Sequence, residues 1–338
     1  MNKRPKRFQD VISQKIAIKL IMNALEKNTL PRVIMLHGES GIGKTTLARL
    51  ISAWQVCTNK KEYNCEENNI QGKDVCGMCS MCKAVQTGSI PDILEFDAAS
   101  HTSVDDIREI LNQCNYAPQM SKEKTFIIDE AHMLSRNAIA ALLKTFEDAP
   151  DHIRFILATT ELDKISNAIR SRCFCIPLQE ISENDIEKSI ENDKEISIDK
   201  EAISLISKVS NGSMREAQSI LFRAKTLENN ITKKTLHDIL FFIEEKEIEK
   251  IANFITNKEF EKLYEFLNKT LESNKVSAQS MLKQLIIHFQ TIYKKENNKT
   301  QIIKIMIDLN QLWEKSITSS MFKNMIIIGL CNIAYNLN

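Results

Sequence analysis

The chain has 338 residues, 43% of them hydrophobic and 26% charged, proportions of a soluble globular protein with room for two or three domains; they exclude a disordered or fibrous chain. Lys+Arg number 45 and Asp+Glu 44, a formal net charge of +1, so contact with a polyanion requires a local basic face. The opening MNKRPKRFQDV lacks the apolar core of a secretory leader, and the run MIIIGLC toward the other end is too short to span a bilayer. The expectation is a cytoplasmic protein with no membrane contact. The odd count of 9 cysteines argues for reduced thiols and against a disulfide framework.

RVIMLHG (32–38) reads as a first buried strand, and GESGIGKT follows it at once. This fits G-x-x-x-x-G-K-[ST] with Gly38, Gly43, Lys44 and Thr45, and it opens the helical stretch KTTLARLISAW, the context that a phosphate loop needs. Backbone N–H groups through Gly38, Glu39, Ser40, Gly41, Ile42 and Gly43, with the helix N-terminus at Thr46, face the anion. Lys44 reaches the terminal phosphates, and the Thr45 hydroxyl binds Mg²⁺. ATP is the expected ligand.

VCGMCSMC (75–82) spaces Cys76, Cys79 and Cys82 three residues apart. Thiolates packed so densely repel one another unless a cation lies among them, and Cys57 or Cys65 would supply the fourth ligand of a tetrahedral Zn²⁺ site. Iron–sulfur ligation and free thiols are the alternatives. Cys114, Cys173, Cys175 and Cys331 are isolated and read as small core residues.

ILEFDA (93–98), TFIIDE (125–130), RFILATT (154–160) and FCIPL (174–178) read as further buried strands, separated by helical stretches such as SRNAIAALLKTFED. The alternation predicts an α/β fold with a parallel sheet covered on both faces. Asp129 ends a strand and is expected to hold Mg²⁺ through water; Glu130 would orient or deprotonate the hydrolytic water. The Thr160 hydroxyl is placed to sense the terminal phosphate. RSRC offers Arg170 and Arg172, either a rate-enhancing finger for a neighbouring subunit's site or a surface ion-pair partner. After Leu178 the strands are expected to stop. Ser182 and Asp185 suggest a helix cap, and Leu282, Leu285, Ile286 and Phe289 form one apolar helical stripe. The boundaries fall near 178 and 238, giving domains 1–178 (with a cysteine module at about 57–82), 179–238 and 239–338.

A cysteine module inside a P-loop domain completes a resemblance over the whole chain. The sequence resembles the γ/τ family of bacterial DNA polymerase III clamp-loader subunits, which are AAA+ ATPases. RPKRFQDVISQ is similar to that family's box near the adenine, with Ser13 where Gly is usual. DAASHTSVDDIREI carries His101 where Arg is usual, and DEAHMLSRNAIAALLKTFEDAP follows the family closely. SRC (171–173) and NGSMREA (211–217) match its trans-acting arginine motif and its sensor-2 segment.

The resemblance implies an AAA+ domain, a helical lid and an all-helical collar for oligomerisation. It assigns the finger to Arg172 and a phosphate contact to Arg215. It also names Cys57, thirteen residues after Lys44, as the first zinc ligand, with Cys65 in reserve. The implied partners are δ, δ′ and further γ/τ copies in a pentamer, the sliding clamp, and primer–template DNA. DNA contacts would come from 100–103 and 135–137, and a clamp-facing edge from Tyr116, Ala117 and Pro118, unless Tyr116 is a buried aromatic. ATP hydrolysis would drive clamp opening and loading within the polymerase holoenzyme, though this chain is not the polymerase catalytic subunit. By length it resembles the short γ form. The competing readings are another AAA+ DNA motor, such as a Holliday-junction helicase, and a non-hydrolysing δ′-like scaffold.

Overall fold

A computed structural model describes residues 4–65, 70–100, 104–148, 150–193, 195–272, 277–295, 299–318 and 322–337. His101, Thr102 and Ser103, expected to face DNA, lie outside the described residues. The chain divides into two compact units, one of 1–192 with 210–218, the other of 193–209 with 219–338.

The first unit is built on strand period. In β1 (Val33–His37) successive side chains point to opposite faces, and all of Val33 to Leu36 are buried, as a central parallel strand requires. Ile34 and Leu36 join one core with α1 (Lys15–Glu26) and α2 (Lys44–Val56), where Ile18, Ile21, Leu47 and Ile51 are fully buried. Val33 and Met35 join the other, with α4 (Val104–Gln113) and α5 (Arg136–Glu147). Phe126 and Phe155 stack there at 5.2 Å between ring centres.

The remaining strands are β4 (Ile93–Asp97), β5 (Lys124–Asp129), β6 (Ile153–Thr159) and β7 (Phe174–Pro177), wholly parallel in the order β4-β5-β6-β1-β7. All five strands expected from the sequence are present. The order sets β1 beside β6 and puts β5 one strand further out, so the carboxyl ends of β1, β6 and β5 line up along one sheet edge. That edge is where ligands bind in open α/β sheets. Buried Arg154 staples the opposite end, donating to both carboxylate oxygens of Glu123 and to the carbonyls of Leu30 and Pro31.

Between α2 and β4 lies the cysteine module, a hairpin of β2 (Lys61–Cys65) and β3 (Ile70–Asp74) followed by α3 (Ser80–Thr87). After β6 come α6 (Asn167–Arg170) and, beyond β7, α7 (Glu183–Glu191), which Ser182 caps by accepting the Asp185 N–H.

In the second unit the expectation that strands end at Leu178 is corrected. β8 (Ser197–Ile198) and β9 (Asn230–Ile231) form a two-residue parallel pair, flanked by α8 (Lys200–Val209), α9 (Met214–Leu227, its first five residues in the other unit) and α10 (Lys233–Leu240). Two residues carry no periodicity to read. From there the chain is helical: α11 (Glu245–Thr256), α12 (Phe260–Glu272), α13 (Ala278–Lys295), α14 (Lys299–Thr318) and α15 (Phe322–Tyr335) share a core that includes Leu282, Leu285 and Phe289.

Candidate nucleotide and metal sites

The loop after β1 turns back on itself because its glycines adopt backbone angles other residues resist. Gly38 has φ +141 and Gly41 φ +78. A methyl group on Gly38 would meet the Leu178 carbonyl at 2.5 Å, and one on Gly41 the Ser213 hydroxyl at 2.0 Å. Gly43 then starts α2 with no side-chain cap, leaving the first-turn N–H groups to an anion.

Lys44 is only 6% exposed, and its Nζ donates to the carbonyls of Gly38 and Glu39 at 2.8 Å each. Burial holds its ammonium below the ordinary lysine range, opposed by the carboxylates of Glu130 and Asp129. Thr45 Oγ1 donates to Asp129 Oδ2 at 2.7 Å, and Asp129 Oδ1 accepts the Glu130 N–H at 3.0 Å. Glu130 itself sits in the left-handed region at φ +48, and its Oε2 accepts from the Thr160 hydroxyl at 3.3 Å. The sheet order explains the meeting: Thr160 follows β6, the strand between β5, which ends at Asp129, and β1, which leads into the loop before Lys44.

These groups line one open cleft at the carboxyl edge of the sheet. Ser40 to Thr46, Asp129, Glu130 and Arg215 line it, and the Arg215 N–H donates to the Gly41 carbonyl at 3.4 Å. Arg4, Pro5, Val11, Ile12, Ile181, Met214 and Gln218 complete the wall. The sequence reading did not single these out, although RPKRFQDVISQ contains four of them. Ser13 and Gln14 both have positive φ, 62 and 58, which gives the glycine usual at position 13 in the resembled family a physical reason. Buried Gln14 exchanges two hydrogen bonds with the Gln179 backbone, fixing this entry segment. The oxygen donors Thr45 and Asp129 fit Mg²⁺, a hard cation.

Arg172 is not part of this lining. It lies at the surface after α6, ion-paired through Nε to Glu147 at 2.7 Å and donating to the Ala168 carbonyl at 2.9 Å. Tyr116 is 68% exposed, so it is not a buried aromatic.

Cys57, Cys76, Cys79 and Cys82 bring their Sγ atoms within 4.8 Å of one another, with Cys57–Cys76 at 3.7 Å and Cys76–Cys82 at 3.9 Å. Four sulfurs at about 2.3 Å from one tetrahedral ion would stand about 3.8 Å apart, so the set fits zinc. Backbone N–H groups of Cys76, Cys79 and Cys82 donate to the sulfurs of Cys57, Cys76 and Cys79 at 3.3–3.4 Å. Burial opposes ionisation of Cys79, but the donated hydrogen bonds outweigh it and bring the thiol to about 6. Asp74 anchors the module: its buried carboxylate accepts the N–H groups of Phe8, Gln9 and Val75. Of the four isolated cysteines, only Cys114 is fully buried. Cys173, Cys175 and Cys331 are half-buried and pack against the margins of the cores; two of them flank or lie in β7, an edge strand.

A five-stranded parallel sheet with a P-loop at its carboxyl edge and a helical region after it defines a P-loop protein of the AAA+ class. The branch-migration motor RuvB of Thermotoga maritima has the same fold, with a TM-score of 0.50 over 81% of this chain and 86% of that one; at 20% identity the likeness concerns the fold alone. A family model described as DNA polymerase III, delta subunit, matches residues 13–182, half of the chain, and the chain belongs to that family. Among its curated relatives, the DNA polymerase III subunit gamma of Buchnera aphidicola subsp. Schizaphis graminum is 42% identical over 241 residues, 70% of this chain and 64% of the relative. The subunit tau of Escherichia coli K12 is 35% identical over 224 residues, 65% of this chain and 33% of the relative. The resemblance to γ/τ subunits read from the sequence therefore stands. The matched segment spans less than two thirds of these relatives' own length.

Proposed function

We propose that this chain is an ATP-hydrolysing subunit of a replicative clamp loader and acts in the cytoplasm. The observation that carries the reading is the convergence of Lys44, Thr45 paired with Asp129 at 2.7 Å, and Glu130 bonded to Thr160, in one cleft that Arg215 also lines, on a chain related to γ subunits. Residues 38–46 cradle the phosphates, and Lys44 and Arg215 neutralise their charge. Thr45 and Asp129 would hold Mg²⁺, which when bound draws charge from the terminal phosphate. Glu130 accepts a proton from the attacking water, and Thr160 orients the Glu130 carboxylate.

In this reading residues 1–178 form the ATPase domain, 179–238 the lid and 239–338 the collar that joins δ, δ′ and further γ/τ copies. Arg172 of one subunit completes its neighbour's site. ATP bound at such an interface favours the arrangement in which both subunits touch it, and that differential affinity drives gripping and release of the clamp on primed DNA. Four cysteines hold a structural zinc. Ser135 and Arg136 at the start of α5 face the duplex, and exposed Tyr116 faces the clamp. The δ′-like scaffold reading is the weaker one, because a non-hydrolysing chain has no use for an intact Lys44, Asp129 and Glu130 in register.

The test is ATP turnover of the chain with δ and δ′ partners, with and without clamp and primed template. Turnover that rises when both are added supports the reading. A rate indifferent to them, or absent throughout, refutes it.

A further inference from the structure

From the geometry beside Glu130 we infer that His132 is a positioning residue, fixing the loop after β6 whose Thr160 hydroxyl bonds the Glu130 carboxylate. The inference rests on the reading of Glu130 as the group that takes the proton from water. The left-handed turn at Glu130 leads into a short 3-10 turn, Ala131–Met133, that carries His132. The imidazole is 7% exposed and stands between two carboxylates: Nδ1 is 3.5 Å from Glu130 Oε2, and Nε2 is 3.3 Å from Glu161 Oε1.

The neighbours fix the ring. The Glu161 carboxylate only accepts, so Nε2 carries the hydrogen and donates to it. Nδ1 then accepts from the Thr159 hydroxyl at 3.1 Å, whose oxygen accepts the Glu161 N–H, also at 3.1 Å. The same loop contributes the Thr160 hydroxyl on the far side of Glu130. Three consecutive residues, Thr159 to Glu161, therefore connect the ring to the Glu130 carboxylate, and a loop freed from the ring no longer fixes the Thr160 hydroxyl against Glu130. A displaced base costs rate and leaves ligand affinity intact, since misplacement by about 1 Å lowers turnover by up to about 10²-fold.

The experiment measures ATP turnover and nucleotide affinity on the full chain, alone and assembled with loader partners. His132→Ala is expected to lower kcat by about 10- to 100-fold while KM and ATP binding stay within twofold. His132→Gln, which keeps a donor toward Glu161 and an acceptor toward Thr159, should recover most of the rate. Glu161→Ala should lower kcat less, and the double variant should be no slower than His132→Ala, as residues acting through one another require. Wild-type rates in His132→Ala, equal losses in affinity and turnover, a glutamine variant as slow as alanine, or additive losses would each overturn the inference. Glu130→Gln separates the two readings. If it abolishes turnover while His132→Ala does not change it, only the positioning role falls; if it leaves turnover intact, both fall.

Discussion

Replacing Lys44 by methionine separates ligand binding from folding, because the structure assigns opposite signs to the two effects. An ammonium about 4 Å from a phosphate charge at an effective dielectric of 20 gains about 4 kcal/mol. In the free protein the amine already donates to the carbonyls of Gly38 and Glu39 at 2.8 Å, contacts worth about 1–2 kcal/mol together that partly offset the gain. The net loss of about 2–3 kcal/mol corresponds to a Kd for Mg-ATP raised about 30- to 150-fold.

The unliganded protein should not suffer. Burial lowers the Lys44 ammonium below its ordinary value, so its charge opposes folding below the folded-state value, and the penalty fades as pH rises toward the unfolded value near 10.4. An apolar side chain of like length removes that penalty, and Glu39, one of the two residues whose carbonyls are freed, is exposed. Calorimetric titration with Mg-ATP and thermal melts from pH 7 to 10 provide the assay. The wild type at 100 Kd of ATP should gain about 2.7 kcal/mol, and the Lys44→Met variant at the same ATP concentration well under half of that. The variant's own melting temperature should equal or exceed wild type near pH 7, with the margin shrinking at alkaline pH. Binding within threefold of wild type would refute the phosphate role.

Metal analysis of the purified chain should find about one zinc per molecule in an all-sulfur shell near 2.3 Å; a folded, metal-free protein would remove that assignment. Arg172→Ala should leave ATP affinity unchanged and lower turnover of the assembled complex by about 10³-fold, while Glu147→Gln, which loses an exposed ion pair, should shift stability by under about 1 kcal/mol; unchanged turnover in the arginine variant would return Arg172 to the role of a surface partner. Asp92 is buried, which raises its carboxyl, but N–H groups of Gln119, Met120 and Ser121 at 2.6–2.8 Å outweigh burial and hold it below the usual carboxylate range. Its stabilisation is therefore complete above about pH 4 and lost as pH falls through the folded-state value. Asp92→Asn should cost about 1–3 kcal/mol at pH 7 and flatten the acid limb of the stability profile; parallel acid limbs would contradict this.

The parts of the molecule legible in the sequence are those whose chemistry is contiguous. GESGIGKT states strand, loop and helix in one run, and the five sheet strands are apolar enough to declare themselves. Lys61–Cys65 and Ile70–Asp74 could not be read as a hairpin, since KEYNC and IQGKD have no apolar alternation and gain their order from pairing and the cysteine module. The fourth sulfur ligand lies nineteen positions before Cys76, and spacing alone left Cys57 and Cys65 open. Arg4 and His132 lie in stretches quoted for the resemblance but have no role readable from spacing, because each reaches its site across the fold, Arg4 beside residues more than a hundred positions away and His132 beside Glu161 on another strand's loop. Arg172 shows the converse, a residue that motif alone singles out and whose contact in its own chain, Glu147, comes from the end of α5.

Asp74 sets the reach of the cysteine module. The peptide it grips at Phe8 and Gln9 belongs to the stretch whose flanks, Arg4, Pro5, Val11 and Ile12, wall the cleft. Stripping the thiols of their ion, by chelator or by oxidant, would loosen that stretch from behind. The damage would surface at the cleft wall formed by Arg4, Pro5, Val11 and Ile12, at a distance from any sulfur.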